Sequence, residues 1–247
     1  MPRDALRVCA LYPDLMNIYA DRGNLQVLER RCAWRGLGFE LTGTGLAEQL
    51  DPGSHDLFYV GGGQDRDQAL CAHDLASPAK RDALHAAADD GRVILAVCGG
   101  YQLLGHGYTM GTERLPGVGL VDLETVRADG PRLIGNVAIE VTLPGLDGPR
   151  VLAGFENHAG RTRLGAGAQP LGRVLAGNGN DGVDGSEGIR SHHVVGTYLH
   201  GPLLPKNTWF ADWLIAAATG RPIASLEPLD DALEDAAHLG ARRAAGV

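Results

Sequence analysis

Lysine is almost missing from this 247-residue chain: Lys80 and Lys206 are the only two, and arginine carries the rest of the positive charge. With a formal net charge of -8, the chain lacks the basic excess that draws a protein to nucleic acid or to an anionic membrane. It has no uninterrupted apolar run of about 18 residues, so no transmembrane helix is expected. The first residues lead straight into a strand-like segment, without the apolar core of a signal peptide. The four cysteines (Cys9, Cys32, Cys71, Cys98) have neither paired nor metal-like spacing. The expectation is a cytoplasmic protein with reduced thiols and no metal site. A Gly-Lys-Ser/Thr phosphate loop is absent, and no G-x-G-x-x-G opens a helix, so no nucleotide or other cofactor is expected. What is present is ordinary soluble composition, 44% apolar and 21% charged. The length suffices to bury a core without staples.

The first half alternates short apolar runs with helical segments. Arg7–Tyr12, Gly38–Thr42, Asp56–Val60 and Val93–Val97 read as strands. Asp21 is placed to cap a helix that runs to about Arg35 and ends at Gly36. A helix follows from Asp65, and Ser77-Pro78 opens another to about Asp90. Val93–Val97 is apolar at every position, as a central parallel strand covered on both faces must be. The second half changes character. Leu120–Arg127, Leu133–Thr142, Val151–Phe155, Gly172–Ala176 and Val194–Leu199 read as strands joined by turns, and two helices close the chain at about 206–219 and 230–244. Gly177–Gly188 reads as a turn-rich loop too polar to pack. The expected fold is α/β, a mostly parallel sheet flanked by helices with an antiparallel extension, as one domain over residues 1–247.

In such sheets ligands bind outside the carboxyl ends of the strands. Cys98 stands at one such end, before two glycines and a short helix. A strand–nucleophile–helix turn lifts a side chain out of the sheet, and the helix N-terminus beneath it favours thiolate. The same turn also suits an inert buried cysteine. Gly61–Gly63 ends another strand and offers backbone amides that could hold an oxyanion, or simply a tight turn. His200 lies where the apolar run Val194–Leu199 gives out, a rigid support for a protruding base. Among the other histidines, His158 is the one serious competitor.

V-C-G-G-Y-Q at Val97–Gln102 resembles the nucleophile motif of class I glutamine amidotransferases. G-T-Y-L-H-G-P at Gly196–Pro202 is similar to the histidine motif of their cobyric-acid-synthase-like branch. Within that branch, Leu11–Asn24, Gly61–Gln68, Gly154–Thr162 and Leu203–Asn207 are similar to the GatD-like glutaminase subunits of lipid II isoglutaminyl synthases. Each stretch is short; six in order, over about Leu11 to Asp212, make the resemblance specific. It implies the flavodoxin-like fold of class I amidotransferases. It implies Cys98 as nucleophile, His200 as base, and Gly62, Gly63 and Gly99 as oxyanion-hole positions. Gln102 falls on the family's C-x-G-x-Q glutamine and is implied to bind substrate. Arg132 matches a substrate-binding arginine, which suits the α-carboxylate of free glutamine. The ammonia would pass to a MurT-like, Mur-ligase-like partner in a heterodimer, which amidates the D-glutamate of lipid II during peptidoglycan synthesis. Lipid II is membrane-bound, but this chain would not itself insert. Many class I members carry a glutamate two residues after the histidine. Here that position is Pro202, so the group that orients His200 is not identified. Two other readings stay open: a glutaminase for another acceptor such as a corrinoid acid, and a catalytically silent regulatory subunit.

Overall fold

The computed structural model describes residues 2–17 and 22–247. The expected cap at Asp21 lies outside the described residues. The first half runs β1 (Ala5–Leu11), α1 (Arg22–Trp34), β2 (Gly38–Thr44), β3 (Leu57–Val60), α2 (Asp65–Leu75), α3 (Pro78–Asp89), β4 (Val93–Val97) and α4 (Gly99–Leu104). The second half runs β5 (Gly107–Met110), β6 (Glu113–Pro116), β7 (Leu123–Arg127), β8 (Leu133–Val141), β9 (Arg150–His158) and β10 (Gly160–Leu164). It continues with β11 (Gly172–Ala176), β12 (Ser186–Glu187), β13 (Ile189–Ser191), β14 (Val194–Thr197), α5 (Thr208–Thr219) and α6 (Ala232–Ala245).

The main sheet has the order β13-β14-β4-β3-β1-β2 and is parallel except for its edge strand β13. β3 and β4 are buried at every residue, which explains their unbroken apolar sequences. The antiparallel extension consists of two further sheets, β10-β7-β5-β6 and β12-β11-β8-β9, with one parallel pair, β5 with β7. β5, β6 and β10 were not expected from the sequence. Each is only four or five residues long and none alternates cleanly. The expected strand Val194–Leu199 stops at Thr197. The chain then leaves the sheet, and His200 forms an antiparallel bridge to Phe155 of β9.

The reading of Gly177–Gly188 as unpacked is corrected by the structure. Asn180 and Glu187 within it are both 0% exposed. Their polarity is matched from inside: Asn180 bonds Tyr101, Gly188 and Ser186, and Glu187 accepts from Thr197 and Tyr198. A polar segment packs when its buried groups find partners.

Candidate active site

Three neighbouring strands deliver the site. β3 ends into Gly61–Gly63, β4 into Cys98, and β14 into Tyr198–His200. β14 and β4 run in register with Thr197 opposite Val97, and the Cys98 amide donates to the Thr197 carbonyl at 2.8 Å. Cys98 has φ 52° and ψ -108°, a strained conformation that L-residues rarely adopt. Two glycines make this turn fit. A Cβ on Gly100 would meet the Val60 carbonyl oxygen at 2.5 Å, so only glycine lets α4 start this close to β3. Gly63 lies against the thioether of Met16, in the Leu11–Asn24 stretch, which would have to shift to admit a Cβ there. The other end of that stretch is tied in by Asn24, which bonds Tyr59 and the Leu204 amide.

Cys98, Gly63, Gln64, Arg132 and Asn157 line one pocket of about 380 Å³. It brings together the candidate nucleophile, one oxyanion glycine and the candidate carboxylate clamp. Gly99 adjoins the Gly63 amide, 3.2 Å from where its Cβ would stand. Gly62 lies between Gly61 and Gly63 on the same turn. His200 and Gln102 do not line the pocket. A larger groove of about 790 Å³ between α1 and α6 contains neither cysteine nor histidine.

Gln102 is 4% exposed and engaged at both ends. It accepts from Gln68 Nε2 at 2.7 Å and donates to the Tyr198 hydroxyl at 3.1 Å. The chain of bonds goes on through Tyr198 and Thr162 (2.6 Å) to Thr125 (2.8 Å). Gln68 also donates to the Gly99 carbonyl at 3.3 Å. This buried network ties the Cys98 turn to the strand end that carries His200, so Gln102 stands behind Cys98 rather than in the pocket. Sequence reasoning missed Gln68, Tyr198 and Asn157, although all three lie inside the quoted motifs.

His200 is fully buried. Burial, reinforced by the charges of His158, Lys206 and Arg132 and opposed by Glu156, pushes its pKa down to about 4. At neutral pH the imidazole is therefore uncharged and able to take a proton. The competitor His158 stacks on Tyr198 (centroids 3.5 Å, 4° between planes), and its Nδ1 lies 2.8 Å from the Gly160 carbonyl. Glu156 is brought beside this group through the Phe155–His200 bridge, a long-range pairing that no local sequence pattern encodes. Burial alone would raise it. Donors from Asn178 and Gly179, with His158 Nε2 at 3.9 Å, instead hold it below the usual glutamate range.

Comparison with known proteins gives this geometry a lineage. The family model of the CobB/CobQ-like glutamine amidotransferase domain matches residues 7–208, from β1 to the start of α5. The chain belongs to that family. It is 39% identical over 217 residues to the Staphylococcus aureus lipid II isoglutaminyl synthase (glutamine-hydrolyzing) subunit GatD, spanning 87% of this chain and 85% of that one. The Streptococcus pneumoniae GatD subunit is 36% identical over 214 residues, 86% and 80% of the two chains. The cobyric acid synthase of Photorhabdus laumondii is 38% identical over 132 residues, but these make up only 25% of that protein. Among solved structures, Thermotoga maritima PurLQS shares the fold with a TM-score of 0.60 at 19% identity, covering 91% of this chain and 98% of that one. The Trypanosoma brucei CTPS glutaminase domain with bound acivicin follows with a TM-score of 0.51 at 11% identity, covering 88% and 95%. Among the described residues, no helix is long and apolar enough to cross a membrane.

Proposed function

We propose that this chain is a single-domain, cytoplasmic glutaminase subunit that hydrolyses glutamine through Cys98 and His200. The observation that carries the reading is the strained Cys98 turn in one pocket with Arg132, beside the strand that leads to His200. Arg132 pairs with the α-carboxylate of glutamine and so aims the side-chain amide at Cys98. Neutral His200 takes the thiol proton, and the sulfur attacks the amide carbon. The developing oxyanion is held by backbone N–H groups, with Gly62, Gly63 and Gly99 the candidates. The carbon–nitrogen bond breaks as His200 returns its proton to the departing ammonia. Water then cleaves the thioester, releasing glutamate and restoring the thiol.

The ammonia goes to a separate synthetase. The GatD relatives, matched over most of their length, are subunits of a lipid II isoglutaminyl synthase, which supports lipid II as acceptor. The synthetase read from the motif resemblance is a Mur-ligase-type (MurT-like) partner, in a heterodimer that amidates the D-glutamate of lipid II. A corrinoid-acid acceptor is the second reading, favoured by the likeness to cobyric acid synthase. The test measures glutamate release by this chain alone and with a Mur-ligase-type subunit, lipid II, ATP and magnesium. Amidated lipid II should form only when both proteins are present and Cys98 is intact. Glutamine hydrolysis that survives Cys98→Ala would overturn the assignment.

A further inference from the structure

The stretch Gly154–Thr162 contributes most of β9, and its side chains divide between two faces. Glu156 and His158 are buried and hold the 178–179 turn and the Tyr198 ring. Asn157 points the other way and lines the pocket with Cys98 and Arg132. It accepts two bonds from Arg132: Nε to the Asn157 Oδ1 at 2.7 Å and Nη2 to the Asn157 main-chain oxygen at 2.8 Å. The position is fixed by register, since Asn157 faces Ile134 across the β8–β9 ladder and Arg132 immediately precedes β8.

A guanidinium has five N–H groups in a planar fork. The two bonds to Asn157 use Nε–H and one N–H of Nη2, which together make one edge of the fork. The other edge, made by Nη1 and the second N–H of Nη2, is geometrically suited to the two oxygens of a carboxylate. Arg132 is exposed, and an exposed arginine that must find one geometry loses rotamer freedom on binding. A residue that holds it in advance removes part of that loss.

We propose that Asn157 is a positioning residue for glutamine selection: it grips one edge of Arg132 and presents the other edge to the α-carboxylate of the substrate. This rests on the reading of Arg132 as the carboxylate clamp. The arrangement selects free glutamine over glutamine whose α-carboxylate is blocked, as in a peptide.

The test compares Asn157→Ala, Asn157→Asp, Arg132→Ala and the double variant Arg132→Ala/Asn157→Ala, each assayed with the synthetase partner present. Glutamine and glutamine α-amide are the two substrates. Asn157→Ala should raise KM for glutamine between about three- and tenfold with kcat nearly unchanged, less than Arg132→Ala because the main-chain contact survives. Its preference for glutamine over the α-amide should fall by the same factor. In the Arg132→Ala background the substitution should add nothing. Asn157→Asp keeps the shape but neutralises Arg132, and should raise KM at least as much. An unchanged KM in both Asn157 variants, with Arg132→Ala impaired, overturns the role of Asn157 alone. So does a fall in kcat with the α-amide preference intact. An unimpaired Arg132→Ala overturns the clamp itself, and this inference with it.

Discussion

The backbone amide of Cys98 donates to the carbonyl of Thr197 at 2.8 Å, and three residues beyond Thr197 the chain reaches His200. One parallel-ladder bond thus sets the level at which both strand ends leave the sheet. β4 turns sharply into α4 and leaves Cys98 strained at its N-terminus. β14 gives out instead into Tyr198–Leu199 and is caught by β9 through the Phe155–His200 bridge. Gln102, bonded to Tyr198, links the two paths a second time.

Cys98 should be the only cysteine that reacts. Burial pushes the Cys32 and Cys71 thiols up to about 12, and Cys9 also lies above its ordinary value, so their thiolates are scarce at neutral pH. A glutamine-like electrophile such as diazo-oxo-norleucine should label Cys98 alone, read by peptide mass mapping. Cys98→Ser should remove both labelling and glutamine hydrolysis while the thermal unfolding curve stays cooperative. Modification of another cysteine in the folded protein would count against the assignment.

Arg132→Ala should raise KM for glutamine by about tenfold or more, for a lost charged hydrogen-bond pair on the order of 1.5–3 kcal/mol. Arg132→Lys should recover only part of this, because a lysine cannot occupy both the Asn157 contacts and a carboxylate with one fork. Steady-state kinetics check both. A wild-type KM in Arg132→Ala would return the residue to an ordinary exposed arginine.

Much of this was legible in the sequence, and the remainder has physical reasons for being hidden. Val93–Val97 and Leu57–Val60 announce themselves because a strand buried on both faces must be apolar throughout. The Cys98 turn is readable because Gly100 has no room for a side chain. Ser77-Pro78 opens α3 as expected, although the serine makes no side-chain cap bond. The short strands β5, β6 and β10 gave no periodic signal, since four or five residues carry too few alternations. Within Gly177–Gly188, Glu187 reads as loop because nothing local tells a solvated glutamate from one met by Thr197 and the Tyr198 amide. The Arg132–Asn157 contact depends on a register 25 residues apart, which no local pattern encodes.

Glu187 should make the fold lose stability as pH rises from about 4.5 to 8. Burial raises its pKa to about 8, against the bonds from the Tyr198 amide and the Thr197 hydroxyl that favour the charged form. Its ordinary value is 4.5, so between about pH 4.5 and 8 the folded chain keeps a proton that the unfolded chain has lost. Stability attributable to this group is therefore full below that window and falls as pH rises through it. Glu187→Gln should flatten this dependence, giving a smaller Tm difference between pH 5 and pH 8. Parallel Tm-versus-pH curves for wild type and variant would show that the carboxyl is ionised in both states.

His200 should stay neutral far into acid. His200 has an ordinary value of 6.5 and is pushed down to about 4, chiefly by burial and then by His158, Lys206 and Arg132. Two consequences follow from the sign. Between about pH 6.5 and 4 the unfolded chain binds a proton at this residue that the folded chain does not, so stability falls as pH falls through that window. In catalysis, kcat/KM reports the free enzyme, so its acidic limb should lie well below 6.5. Removing a positive neighbour should move the limb upward. Lys206→Met is the informative variant, because Lys206 does not line the Cys98 pocket and its loss leaves the Arg132 contacts in place. Its acidic limb should shift to higher pH at an otherwise similar plateau. Ring-proton NMR of His200 would give the same pKa without turnover. An acidic limb near 6.5 in the wild type, confirmed by His200 titrating there, would mean that the imidazole is far better solvated than its buried position indicates.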